Sequence, residues 1–298
     1  MLKKVLVGGL CVVMVIGLVA GSVFADPTMD RIEKTGKIRI GFREGSIPFA
    51  YIDEKGQHVG FSVDMAKLFV EKLSEYFDKK IELIPYTVTP KTRIPLVVNG
   101  TIDIEMGSST HTDLREEVAD FSIPFFMSET TFMVAKDSGI NSLADLTGKI
   151  VGSARGTTNL RALQKVVEEG KIKASRVVIV DTHPKGFLAL KQGKIDAYFT
   201  DTSLLMGLKM KAPNPENWKI VPEPIAYEPY GYIMREGNSD FRDFVNHFII
   251  WTIKTGKFYE IYDKWMGPNG PVPIPMSRDY KAFLKMICWP LRDTWPKK

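Results

Sequence analysis

Cysteine is nearly missing from this chain: Cys11 and Cys288 are the only two in 298 residues. Once the N-terminal segment carrying Cys11 is removed, Cys288 has no partner, which excludes an internal disulfide and any C-x-x-C redox or metal motif. Histidine is scarce as well, at four. His58, His111 and His247 stand apart from cysteine and acidic residues at metal-ligand spacing, so no metal is expected. No run of five like charges occurs, and the net charge of +5 is spread along the chain, which excludes a nucleic-acid-binding surface. G-x-S-x-G, H-E-x-x-H and P-loop patterns are all lacking, so neither catalytic machinery nor a cofactor is indicated.

Long hydrophobic runs are confined to the start. Lys3 and Lys4 precede an almost wholly apolar stretch from Val5 to Ala20, and Val23-Phe24-Ala25 offers the small residues a signal peptidase requires. Residues 1–25 read as a secretory signal peptide, with retention as an anchor left open because a spanning helix needs only ~20 residues. Leu10 precedes Cys11 where a lipid-attachment site has a small residue. Export places the mature chain in the periplasm or outside the cell. Losing Lys3 and Lys4 lowers the net charge from +5 to +3. Its 273 residues, 25 fewer than 298, suggest two units at ~150 residues each.

Short apolar runs alternate with amphipathic stretches, the mark of an α/β architecture. Ile38–Phe42 reads as the first strand, followed by a helix whose apolar face is Val63, Ala66, Val70, Leu73 and Phe77. A strand at 81–86, a helix at 92–98 stopped by Gly100 and a strand at 102–105 follow. A second cycle has strands at 131–135, 150–153, 176–181 and 195–200. Its helices span 159–169, stopped by Gly170, and 185–192. The clearest helix has Ser239 as N-cap, then Phe241, Phe244, Val245, Phe248, Ile249 and Ile253, with Gly256 just past its end. The Pro-rich tail after Met266 ends in a short amphipathic piece containing Trp289 and Trp295, expected to wrap the first unit.

Taken singly, the candidate site residues are ambiguous. Arg115 and Asp201 could be ordinary surface charges, Ser108 and Thr110 a plain turn, Thr157 an N-cap, and His183 an exposed loop histidine. Arg43 could pair with Glu44 or Glu105, and Arg93 could be a solvated first-turn charge.

Six ordered segments change that reading. They are GFREGSIPFAY (41–51), VGFSVDMA (59–66), TRIPLVVNGTIDIEMGSST (92–110), RGTTNL (155–160), LKQGKIDAYFTD (190–201) and GKFYEIYDKWMG (256–267). From Ile38 to about Trp265 the chain resembles the polar amino-acid substrate-binding proteins of ABC importers, solute-binding protein family 3, and within it the glutamate/aspartate-binding branch. The resemblance implies a two-lobed periplasmic-binding-protein fold (type II) of the α/β class, its lobes joined by two hinge strands at Phe121–Phe125 and Ala226–Gly231. The first lobe would comprise 26–124 and 229–298, the second 125–228. A monomer working with ABC permease subunits of the inner membrane is implied.

The resemblance also implies site roles. Ser108, Thr110 and Arg115 would hold the ligand's main-chain carboxylate, Thr157 would add helix N-terminal N–H groups, and Asp201 would hold the ammonium. Arg43, Arg93 and His183 would meet a side-chain carboxylate. A guanidinium suits a carboxylate because it offers two parallel donors. Three arginines and Asp201 leave +2, a count that favours an acidic amino acid over a neutral one. Two positions depart from the branch: Ala154-Arg155 stands before Gly156, and Pro90 lies where a serine is expected. The same fold resembles cyclohexadienyl dehydratases and receptor ectodomains, so an enzyme acting on prephenate or arogenate and a ligand-sensing subunit are the alternatives.

Overall fold

The computed structural model describes residues 28–288; the N-terminal targeting segment, Trp289 and Trp295 lie outside the described residues. The chain begins with α1 (Thr28–Thr35) and β1 (Lys37–Arg43), then a small antiparallel sheet of β2 (Gly45–Ser46), β3 (Ala50–Ile52) and β4 (His58–Val59). It continues through α2 (Phe61–Tyr76), β5 (Glu82–Val88), α3 (Arg93–Val98), β6 (Ile104–Glu105), α4 (Asp113–Glu116) and β7 (Asp120–Phe121). The second cycle comprises β8 (Phe126–Ala135), β9 (Ile150–Ala154), α5 (Thr158–Glu168), β10 (Arg176–Val180), α6 (His183–Lys191), β11 (Ala197–Asp201), α7 (Thr202–Met210) and β12 (Trp218–Tyr230). The return adds β13 (Ile233–Met234), α8 (Ser239–Lys254), α9 (Lys257–Met266) and α10 (Arg278–Met286).

Two five-stranded sheets result, ordered β5-β1-β6-β13-β7 and β10-β9-β11-β8-β12, so the molecule has two α/β lobes. In each, three parallel strands lie at one side and antiparallel strands at the other. The first core forms because Ile38, Ile40 and Phe42 of β1 are buried beneath α2 and α8. Phe69 of α2 meets Phe241, Phe244 and Phe248 of α8 with ring centroids 6.2, 5.7 and 5.1 Å away. In the second lobe the period-2 geometry of strands sends Phe132, Val134 and Phe199 into one layer and Met133 and Tyr198 into the other, so both faces of the sheet are covered.

Two local expectations change. Ser239 is the first helical residue of α8 and not its cap. The capping position belongs to Asn238, whose side-chain oxygen accepts from the Thr28 backbone N–H at 3.0 Å and ties α1 to α8. His183 opens α6, two residues earlier than the spacing suggests, because Thr182 caps the helix and Pro184 is tolerated in its first turn. In the tail, Leu284 of α10 enters the first lobe's core, and the Tyr280 hydroxyl donates to the Phe125 carbonyl at 2.7 Å.

The chain passes between sheets twice, along β8 and back along β12, and the two passages pair with each other. Phe126 lies opposite Tyr230, Ser128 opposite Glu228, and Thr130 opposite Ala226. The connection is therefore an antiparallel ribbon. Facing each other across the cleft, the lobes approach at glycines. A Cβ at Gly207 of α7 would lie 2.2 Å from the Ile47 carbonyl oxygen of the first lobe. At Gly156 it would lie 2.9 Å from the Pro90 carbonyl, and at Gly45 2.5 Å from the Pro184 ring.

Gly207 separates lobe stability from lobe approach. Alanine is the better helix former by ~1 kcal/mol, but its methyl group meets backbone across the cleft. Gly207→Ala should therefore keep or raise the denaturation midpoint while lengthening the inter-lobe distance measured between spectroscopic probes. A fall of more than about 2 kcal/mol in stability without a change in spacing would make this contact part of a rigid core instead.

Candidate ligand-binding site

The cleft is built where strands end and helices begin, the place at which open α/β sheets present functional groups. Arg43 ends β1, Asp201 ends β11, and Ser108 and Thr110 follow β6. Arg93 is the first residue of α3, His183 the first of α6, Thr157 caps α5, and Arg115 lies in α4. None of these eight is more than 6% exposed. The fold brings them together from both lobes. Arg43 Nη2 reaches His183 Nε2 across the cleft at 3.2 Å, and Arg115 donates to the carbonyls of Thr110 at 2.5 Å and Gly156 at 3.4 Å.

The guanidiniums carry the strongest electrostatic signature. Burial, then the neighbouring Arg93, brings both Arg43 and Arg115 down to about 9, and Arg93 is lowered by burial too. All three remain cations at neutral pH. Yet among the described residues no carboxylate oxygen comes within 4.0 Å of any of them; the arginine ion pairs are made by Arg31, Arg39 and Arg242. Arg43 pairs with neither Glu44 nor Glu105. Arg93 Nε and Ser108 Oγ are buried without a hydrogen-bond partner, and such groups call for an explanation in a folded protein.

His183 is neutral. Burial, followed by repulsion from Arg43 and Arg93, holds its pKa well below the ordinary imidazole value. Arginine can only donate, so Nε2 is the acceptor and Nδ1 carries the proton toward the Tyr198 hydroxyl at 3.0 Å or Thr200 Oγ1 at 3.2 Å. The Thr157 hydroxyl is committed to its helix: it donates to the Ala154 carbonyl at 2.7 Å and accepts from the Leu160 N–H at 3.1 Å. Only backbone groups of this turn are free to meet an anion. Arg155 is exposed.

Two buried acids were not among the candidates. Glu105 ends β6 and accepts from Ser109 at 2.6 Å. Glu228, fully buried on β12, accepts from Thr110, from Thr130 at 2.5 Å and from Thr158 at 2.6 Å. The count of +2 is thereby corrected: Glu105, Glu228 and Asp201 bring three negative charges against three arginines, and the formal sum is zero. What distinguishes the site is arrangement: Asp201 and Glu228 accept from amides and hydroxyls, Glu105 accepts through Oε2 and buries Oε1 without a partner, and the guanidiniums contact no carboxylate. Asp201 accepts from Asn159 Nδ2 at 2.8 Å, and the nearby Tyr230 hydroxyl meets Ser203 Oγ at 3.1 Å. Both Asn159 and Glu228 lie in segments that stand out in the sequence, RGTTNL and the Ala226–Gly231 crossing. An acid within an otherwise apolar crossing was the available signal.

No group of three or more His, Cys, Asp or Glu suited to a metal occurs among the described residues, and none of their helices is long and apolar enough to cross a membrane.

Residues 38–268 match the family model of the bacterial extracellular solute-binding proteins, family 3. An L-glutamate/L-aspartate-binding protein of Pseudomonas aeruginosa is 34% identical, with 91% of this chain and 93% of that protein covered. A glutamate/aspartate import solute-binding protein of Salmonella typhimurium is 35% identical, covering 91% and 94%. Among solved structures, an ancestral amino acid-binding protein described as a precursor of cyclohexadienyl dehydratase aligns with a TM-score of 0.70 at 28% identity. That alignment covers 80% of this chain and 99% of that one.

Asp201 gives the site a pH signature. Burial, then the nearby Glu228, pushes its carboxyl up to about 7. Between about pH 4 and pH 7 the folded chain thus retains a proton that the unfolded chain has lost, so this group's contribution to stability falls as pH rises through that window. Asp201→Asn keeps the acceptor for Asn159 and removes the charge. Urea unfolding should find the variant more stable than wild type at pH 8, by on the order of 2–4 kcal/mol, with the gap closing near pH 4. A variant less stable at pH 8 would mean that the arginines already satisfy this carboxylate.

Proposed function

The chain belongs to the bacterial extracellular solute-binding proteins, family 3, and from that membership we propose that it is the substrate-binding component of an ABC importer that captures glutamate or aspartate by closing two lobes on it. The observation that carries this reading is the set of three buried guanidiniums without a carboxylate contact, opposite a carboxylate held by Asn159. An acidic amino acid is the small molecule that answers both: two carboxylates for the arginines and one ammonium for Asp201. The two relatives whose names carry glutamate and aspartate support the choice of ligand.

In this reading Arg115, Ser108, Thr110 and the N–H groups at Thr157 hold the main-chain carboxylate. The α5 N-terminus adds its dipole there. Asp201 holds the ammonium. Arg43 and Arg93 hold the side-chain carboxylate, and neutral His183 orients Arg43 by accepting from it. Ligand carboxylates also supply the partners that Arg93 Nε and Ser108 Oγ lack. The moving units are the lobes 26–124 with 229–298 and 125–228, hinged on the paired ribbon, and closure brings α5 and α6 over the arginines. The protein acts outside the cytoplasm as a monomer that delivers its ligand to permease subunits, and it performs no chemistry on it.

Calorimetry with L-glutamate, L-aspartate, L-glutamine and L-arginine tests the assignment. The two acids should bind and leave unchanged. Arg115→Ala should weaken every ligand by several hundredfold or more, because breaking a buried pair from one side costs ~3–5 kcal/mol. Arg43→Met should cost the acids comparably while narrowing or inverting the preference for glutamate over glutamine. Tight binding of arginine or glutamine alone contradicts the ligand, and turnover of prephenate or arogenate contradicts the binding role.

A further inference from the structure

Glu228 occupies an unusual position. It sits on the returning strand of the ribbon, fully buried, and every hydrogen bond its carboxylate accepts comes from a donor on another segment. One carboxylate oxygen accepts from Thr110 Oγ1, which follows β6 in the first lobe, and from Thr158 Oγ1 at 2.6 Å, the first residue of α5 in the second. The other accepts from Thr130 Oγ1 on β8 at 2.5 Å and from Asn159 Nδ2 at 3.4 Å. Three hydroxyl protons are thus given to this carboxylate, with the Asn159 amide as a longer contact. Thr110 and Thr158 also meet each other at 3.2 Å, so the two lobes touch at this acid.

Two chains of contacts lead from Glu228 to the two ends of the clamp. Thr110 takes one: its hydroxyl is held by Glu228 while its carbonyl accepts from Arg115 at 2.5 Å. Asn159 takes the other through Thr130: the Thr130 hydroxyl donates to Glu228 and accepts from Asn159 Nδ2 at 2.7 Å, and the second Asn159 N–H goes to Asp201 at 2.8 Å. We propose that Glu228 is the positioning residue of the clamp: through Thr110 and Asn159 it holds Arg115 and Asp201 at the spacing at which one amino-acid main chain fits between them. This rests on the reading of the cleft as an amino-acid site and deepens it, because Glu228 acts on the end common to all amino acids and not on the side-chain end. Glu228 also shapes the ammonium site electrically. Arg43, Arg93, Tyr198 and Tyr230 are the other charged or titratable groups acting on Asp201, and Glu228 is the one that favours its protonated form most after burial.

The test compares wild type, Glu228→Gln and the pair Thr158→Val and Thr158→Ser. Glu228→Gln keeps the shape, removes the charge and turns one acceptor into a donor. It should weaken L-glutamate and L-glutamine alike by about tenfold to a hundredfold, the range for a hydrogen bond to a charged group, leaving their ratio as in wild type. Carboxyl-detected NMR titration of the unliganded protein should show the Asp201 midpoint falling in Glu228→Gln, a change that general loosening of the fold would not produce. Thr158→Val should weaken both ligands to a smaller degree and Thr158→Ser should restore wild-type affinity, which decides the matter even where Glu228→Gln does not fold. Wild-type affinity and an unmoved Asp201 midpoint in Glu228→Gln, or wild-type affinity in Thr158→Val, overturn the proposal. A changed glutamate-to-glutamine ratio in Glu228→Gln also overturns it. Failure of wild type to bind L-glutamate while binding L-glutamine contradicts the acidic-ligand reading alone, and the same comparison then stands on L-glutamine.

Discussion

Keeping three guanidiniums out of water without a carboxylate contact is the constraint around which this molecule is arranged. A buried, unpaired charge costs several kcal/mol, and here Arg43, Arg93 and Arg115 also repel one another. A fold of two large cores can carry that cost because side chains such as Phe69, Phe132 and Phe199 are buried in apolar clusters that contain none of the three arginines. The acids that could have neutralised the arginines are turned to other partners: Ser109 holds one oxygen of Glu105, Asn159 holds Asp201, and threonines hold Glu228. Recognition and stability are in opposition at this site, and the opposition is what makes an anionic ligand the missing partner.

The two-lobed architecture assembles the site from two sides. Each lobe brings part of the site on strand ends and helix starts, elements whose positions are fixed by the sheets behind them. Between the lobes runs a paired ribbon, and across the cleft the contacts at Gly45, Gly156 and Gly207 leave room for backbone and little else. Closeness at these glycines lets His183 of one lobe reach Arg43 of the other at 3.2 Å. Because Arg43 can only donate, that contact also fixes which nitrogen of His183 carries the proton.

Much of this was legible in the sequence, and the parts that were not share a cause. Strand ends were readable because Ile38, Ile40 and Phe42 alternate up to Arg43, and the start of α3 because Pro90 and Thr92 precede Arg93. The face of α8 followed from helical spacing alone. Its cap did not, since Asn238 and Ser239 are both good caps and the choice is made by a contact with Thr28, 210 positions away. The short α7 went unplaced because TSLLMGLKM is apolar on nearly every side and carries no period. Glu228 and Glu105 were missed, and the charge count with them, because a buried acid and a solvated one are written with the same letter. What separates them is a set of threonine and serine donors brought in from other segments, which no local pattern reveals.

The central claim is that arginine burial destabilises the empty protein and that an acidic ligand reverses the effect. Chemical denaturation of wild type and Arg93→Met, each with and without saturating L-glutamate, measures it directly. The account predicts a crossing: without ligand the variant unfolds at higher denaturant than wild type, by on the order of 1–3 kcal/mol, and with ligand it unfolds at lower denaturant. A variant less stable than wild type in the empty state, or one stabilised by L-glutamate as much as wild type, would contradict it.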